Sequence, residues 1–162
     1  MPQDAENPTS PLLSVRDLRV SFGDTPAVHG VDLDVLPGER VAIVGQSGSG
    51  KSTVVAAILR LLPGAGHITG GTIELAGPDG GTLDLAQATE APMRQVRGAR
   101  IGLVPQDPST NLNPSMKVGA QIADALRTHG LRGHDEVQRR VVALMSEAGI
   151  PEAERRAGQF PH

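Results

Sequence analysis

Residues 41–53 read Val41-Ala42-Ile43-Val44-Gly45-Gln46-Ser47-Gly48-Ser49-Gly50-Lys51-Ser52-Thr53. Val41 to Val44 is short and apolar on both faces, the pattern of a central strand in a parallel sheet. Gly45 to Ser52 then satisfies G-x-x-x-x-G-K-[ST] in full, and Thr53 follows. Ser52 to Leu62 is apolar almost all round and predicts a buried helix, ended by Pro63-Gly64. Strand, glycine-rich turn and helix in that order make a phosphate cradle. Gly48 and Gly50 accept backbone angles that other residues resist, so successive N–H groups can curl around an anion. The start of the helix turns its partial positive charge toward the same anion. Lys51 adds a mobile point charge, and the Ser52 hydroxyl is a hard oxygen ligand suited to Mg²⁺. The alternative is a Gly/Ser turn with no ligand. Lys51 weighs against it, because Lys51 and Lys117 are the only two lysines in the chain.

Working outward, Leu12 to Phe22 and Val28 to Leu36 alternate as half-buried strands, the second with Val31, Leu33 and Val35 on one face. After the helix come a strand at Thr72 to Leu75, a short strand at Thr82 to Leu85 and a short helix at Ala91 to Arg97. Ile101 to Val104 repeats the compact apolar pattern of a buried strand. A loop rich in Pro, Asp, Asn and Ser follows, from Pro105 to Pro114. Two helices are predicted at Val118 to His129, with Ile122, Ala125 and Leu126 on one face, and at Asp135 to Ala148, with Val137, Val141, Leu144 and Met145 on one face. Pro151 to His162 reads as irregular. Residues 1–11, with three prolines and two acids, read as a disordered lead.

Composition narrows the function. The 162 residues include 20 Gly and 13 Pro but no Cys, Trp or Tyr, and Phe22 and Phe160 are the only aromatics. Without cysteine there are no disulfides, iron–sulfur clusters or thiolate zinc sites. Without exposed rings and with a net charge of −3, nothing favours nucleic acid as a partner. No apolar run approaches the length of a membrane span. The five histidines are scattered, and Arg139-Arg140 and Arg155-Arg156 read as solvated charges.

The run LDVLPGERVAIVGQSGSGKST resembles the first half of an ATP-binding-cassette (ABC) ATPase subunit. Gln106-Asp107-Pro108-Ser109-Thr110-Asn111-Leu112-Asn113-Pro114 is similar to the loop of bacterial peptide and nickel importer ATPases, and GIPEAERRAGQFPH is similar to the stretch ahead of the signature motif in that group. The resemblance implies an α/β fold: a P-loop NTPase core with an antiparallel β-lobe and a truncated helical subdomain. Residues 12–106 would form the β-lobe and core, and 107–162 the start of the helical part. It implies ATP and Mg²⁺ as cofactors, with Gly45, Gln46, Ser47, Gly48, Ser49, Gly50, Lys51, Ser52 and Thr53 around the phosphates. Gln106 would be the Q-loop glutamine, a neutral amide that engages Mg²⁺ and assists catalysis without a proton change. Phe22 would stack on adenine; the alternative is a core residue at a strand end. The implied partners are a second ATPase subunit, arranged head to tail, and integral membrane permeases. The implied location is cytoplasmic, on the inner face of the membrane.

The resemblance also sets expectations that this sequence does not meet. No Leu-Ser-Gly-Gly signature, no apolar strand ending in Asp-Glu and no switch histidine follow. The chain is therefore read as an N-terminal piece of such a subunit. It offers a phosphate site but no general base for hydrolysis. Apolar strand edges left unpaired would make it marginal in stability and prone to aggregate. Two alternatives stay open: a soluble, non-transport ABC ATPase and a small P-loop kinase. The two strands ahead of the P-loop speak against the kinase.

Overall fold

The computed structural model describes residues 10–106 and 111–162. The expected lead thus falls largely, and Asp107 to Thr110 of the importer-like loop wholly, outside the described residues. The chain forms two compact units, Met1–Ile101 and Gly102–His162.

In the first unit, β1 (Leu13–Phe22), β2 (Thr25–Val35), β3 (Gly66–Ala76) and β4 (Thr82–Asp84) form an antiparallel sheet in the order β2-β1-β3-β4. Two helices accompany it, α1 (Lys51–Ile58) and α2 (Glu90–Val96). Val15, Leu18, Val20, Ile73 and Leu75 of the sheet pack with Val54, Ala57 and Ile58 of α1 and Met93 and Val96 of α2. Each of these side chains larger than alanine contributes about 1.5–3 kcal/mol on burial. The expected alternation in β2 is present: Val31, Leu33 and Val35 are half-buried, and Asp32 and Asp34 are exposed.

β1 carries a kink that β2 and β3 accommodate. Its register shifts between Val15 and Leu18 against β2 and between Arg16 and Arg19 against β3. Asp17 sits there in a left-handed conformation, φ 44°, and its N–H donates to Asp32 Oδ1 at 2.8 Å. This is a β-bulge. Across from it Gly71 adopts φ +87°, and a Cβ there would lie 2.4 Å from the Arg16 carbonyl oxygen. Gly30, with φ +103°, faces the bulge from β2.

Several expectations are corrected. Residues 41–44 form no strand: Val41 and Ile43 are each 41% exposed and Val44 is 91% exposed. A parallel strand exists only through ladders to neighbours, and among the described residues no strand pairs with this segment. Likewise Ile101 to Val104 yields only a single parallel bridge, Arg97 to Ile101, and Val104 is 92% exposed. Helix α1 stops at Ile58, not Leu62, and Val55 is exposed, so it is buried on one face only. Its end is a Schellman motif: Leu61 N–H donates to Ala56 O at 2.8 Å and Arg60 N–H to Ala57 O at 2.9 Å. Arg60 takes the left-handed position, φ 52°, that glycine usually fills. The third strand starts at Gly66, six residues before Thr72, because Gly70-Gly71 answers the bulge in β1 and does not break the strand.

The second unit contains α3 (Val118–Thr128), α4 (His134–Glu147) and α5 (Ala153–Ala157). Ala123, Val137, Val141, Met145 and Ala153 form its core, with Leu126 packed against them. The expected face of α3 is rotated: Ala125 is exposed, whereas Gly119 and Ala123 are buried. Gly119 lies against α5, where a Cβ would meet Ala157 O at 2.8 Å. The segment expected to be irregular, 151–162, therefore holds a short helix. Gln121 anchors the loop ahead of α3: its Oε1 accepts from Asn113 N–H at 2.9 Å, and its Nε2 donates to Asn113 O and Met116 O, each at 3.0 Å. Arg139, Arg140 and Arg155 form exposed pairs with Glu136, Glu147 and Glu152, as solvated charges do.

Candidate phosphate site

The loop between residue 44 and α1 is built by its glycines. Gly48 has φ +80° and Gly50 φ +88°, both left-handed. Ser49 N–H donates to Gln46 O at 3.2 Å, which tightens the turn. At Gly45 a Cβ would lie 2.7 Å from Ser49 Oγ, so the first glycine of the motif lets the loop fold onto itself. At Gly50 a Cβ would lie 3.1 Å from Ala27 O and 3.4 Å from Val28 Cγ2, so the last one seats the loop against β2.

Gly50 is the N-cap of α1, and Val54 N–H closes the first helical bond onto its carbonyl at 2.9 Å. No side chain caps this end, and no acid stands in the first turn. An ordinary helix start would use a Ser, Thr, Asp or Asn oxygen to bind its leading amides. Here those amides are left to the solvent-facing side, where the helix field is positive. Lys51 Nζ donates to Gly45 O at 2.8 Å and Gln46 O at 2.6 Å, and lies 3.3 Å from Ser49 Oγ. The ammonium is thus held over the loop. The Ser52 side chain is exposed one position further on.

A cavity of about 440 Å³ opens here, lined by Gly48 to Thr53 on one side and Pro26, Ala27 and His29 on the other. A second, of about 650 Å³, runs between β2 and residues 42–45 and also reaches Lys51. The donor set fits a polyphosphate: main-chain amides, one ammonium and a hydroxyl. Among the described residues no cluster of three or more His, Asp or Glu could cage a metal. Mg²⁺, which keeps waters and takes substrate phosphates as ligands, needs no such cage.

The structure brings Gly45 to Thr53 together. Phe22 lies at the end of β1, half-buried, packed on the sheet core and against Gly66, and it lines neither cavity. Gln106 is an exposed bend residue of the second unit. All five histidines are exposed. The facing wall, Pro26, Ala27 and His29, was not foreseen. Only tertiary packing of β2 against Gly50 places it there, and no local pattern announces that.

The family model for ABC transporters matches residues 28–161. The chain belongs to the ABC transporter family. A peptide import ATP-binding protein of Brucella ovis is 46% identical over 157 residues, 94% of this chain and 46% of that protein. The oligopeptide transport ATP-binding protein OppD of Bacillus subtilis is 43% identical over 156 residues, 93% of this chain and 42% of OppD. The chain thus spans less than half the length of these relatives. The dimeric structure of a bacterial ABC transporter cassette superimposes with a TM-score of 0.75 at 24% identity, over 92% of this chain and 61% of that one. This likeness shows the fold: the α/β class, with the P-loop helix inserted between the second and third strands of an antiparallel sheet, is that of ABC cassettes. No helix among the described residues is long and apolar enough to cross a membrane.

Proposed function

We propose that this chain is the ATP-binding part of the ATPase subunit of an importer for peptides or similar small solutes. The observation that carries the proposal is the uncapped start of α1, with Lys51 Nζ held over the glycine loop. Relatives that match nearly the whole chain include peptide import, oligopeptide transport and glutathione import ATP-binding proteins, which supports import over the soluble and kinase alternatives.

In this reading the amides of Gly48 to Thr53 bind the phosphates, and Lys51 moves from the loop carbonyls onto the β and γ phosphates. Its present partners are neutral carbonyls, so the exchange gains charge–charge attraction. The Ser52 hydroxyl would hold Mg²⁺, which would supply positive charge to offset that of the phosphates. Gln106 would sense the nucleotide and pass its presence to the membrane subunits. Phe22 would stack on adenine from the end of β1, outside the two cavities at the phosphate loop. Residues 12–106 would serve as the nucleotide-binding lobe and 107–162 as the start of a helical subdomain. A second ATPase subunit and membrane permeases would be the partners, with the protein on the inner face of the membrane.

Titration calorimetry with MgATP tests the reading. Losing an ammonium that contacts two phosphates should weaken binding by about 3 kcal/mol, roughly 150-fold, in Lys51→Ala. Equal affinity in the two proteins would refute it.

A further inference from the structure

The phosphate loop sits at one end of a helix of eight residues, and the other end of that helix is held from outside. Arg97, the residue that closes α2, reaches back to α1. Its Nε donates to Leu59 O at 2.8 Å and its Nη2 to Arg60 O at 3.2 Å. Its Nη1 is paired with Glu90 Oε1 at 2.6 Å, which fixes the guanidinium plane. The Arg97 side chain is only 23% exposed, whereas Glu90 is 67% exposed. Arg60 answers in the opposite direction, with its guanidinium donating to Ala88 O just ahead of α2. Two arginines thus cross between the segments, each binding the other side's main chain.

Helix α1 has no basic residue of its own in its last turn. Its C-terminal carbonyls carry the negative end of the helix field, where a cation is stabilising. Arg97 supplies that cation from α2. The two ends of α1 are about 12 Å apart at 1.5 Å per residue. A rod so short transmits a tilt at Leu59 directly to Lys51 and Ser52.

We propose that Arg97 is a positioning residue for the phosphate loop: by clasping the Leu59 and Arg60 carbonyls it sets the orientation of α1 and hence of Lys51 and Ser52. This rests on the reading of that loop as the nucleotide site. Binding at one end and closure at the other are reciprocally linked. Nucleotide therefore tightens the clasp, and the clasp tightens nucleotide.

The test uses the whole 162-residue chain, at a temperature where circular dichroism shows each variant folded. Arg97→Gln should bind MgATP about 5- to 10-fold more weakly, the scale of losing charged hydrogen bonds that act at one remove. Arg97→Lys, which restores a cation but not the fork, should recover to within about threefold of the parent. Hydrogen exchange gives a readout that loss of stability alone would not move. MgATP should slow exchange of the Arg60 and Leu61 amides in the parent and fail to do so in Arg97→Gln. Glu90→Gln leaves both carbonyl contacts and should change affinity less than about twofold. Parent-like affinity and parent-like protection in Arg97→Gln would overturn the proposal. Should Arg97→Gln not fold, Arg97→Met, which keeps the packed aliphatic stem without the cation, takes its place: parental affinity and full protection there would overturn the proposal. Lys51→Ala separates the two levels. If Lys51→Ala binds normally, the nucleotide site itself is misread; if it loses binding while Arg97→Gln keeps it, only the clasp is.

Discussion

Two glycines of the phosphate loop share a backbone conformation but not a neighbourhood, and this makes them a controlled pair. Gly48 and Gly50 have φ +80° and +88°. An alanine at either must hold a left-handed conformation, which costs about 1–2 kcal/mol. At Gly48 a new Cβ meets nothing within 4 Å. At Gly50 it meets Ala27 O at 3.1 Å and Val28 Cγ2 at 3.4 Å, both in β2. Ala27 lies between the ladder-paired Pro26 and Val28, and a backbone carbonyl held there yields less than a flexible side chain, so overpacking adds about 1–2 kcal/mol. Gly48→Ala should therefore cost about 1.5 kcal/mol, roughly tenfold, and Gly50→Ala about 3 kcal/mol, roughly 150-fold. Where the cost appears depends on whether the free loop relaxes. If it does, MgATP affinity falls; if it does not, the folded state is destabilised. The quantity to read is the sum of the two, from titration calorimetry and urea unfolding on the same samples. A sum for Gly50→Ala no larger than for Gly48→Ala would show that β2 does not brace the loop.

Two further outcomes are expected. The Arg16 guanidinium, hydrogen-bonded to Asp34, holds that carboxyl below its ordinary 3.8. A carboxylate with a lowered folded-state pKa stabilises the fold above its ordinary value, and the gain is lost as pH falls through the lowered one. Asp34→Asn should thus differ from the parent by a constant amount well above pH 3.8, and the two should converge below it. A urea-unfolding difference that ignores pH throughout would disprove the pairing, and added salt should shrink it because the pair is half exposed. In a complete transporter, Gln106→Ala should keep MgATP affinity within about twofold while solute uptake falls about tenfold or more, the scale of losing a water-positioning group. Unchanged uptake in vesicles would remove Gln106 from the coupling role.

The antiparallel sheet and most helices could be read from the sequence because their signals are local. Alternation in Leu12 to Phe22 and Val28 to Leu36, and the i, i+4, i+8 run of Val137, Val141 and Met145, need no distant partner to be recognised. The phosphate loop was legible for the same reason: Gly48, Gly50, Lys51 and Ser52 are contiguous. Val41 to Val44 failed because apolarity on both faces announces a need for partners without supplying them. Helix α1 ended early because Arg60 finds its bond at Ala88 O and accepts a left-handed angle to reach it, a contact 28 residues away. The phase of α3 is not legible because Gly119, silent in any hydrophobic pattern, is buried against Ala157, where a Cβ would lie 2.8 Å from the carbonyl oxygen. The wall opposite Lys51 was hidden likewise, since Pro26, Ala27 and His29 carry no signature of their own.

The kink at Asp17 has a bearing on how the sheet zips. Sliding a strand by two residues keeps every apolar side chain facing inward, so patterning alone does not forbid it. At the kink such an offset would bring Thr69 or Ile73 to the place of Gly71, and Val28 or Asp32 to that of Gly30. A side chain in the first place would collide with the Arg16 carbonyl, and one in the second would have to adopt an angle that only glycine takes readily. The lobe carries a keyed seam, and of the several alignments that hydrophobicity would accept, it admits one.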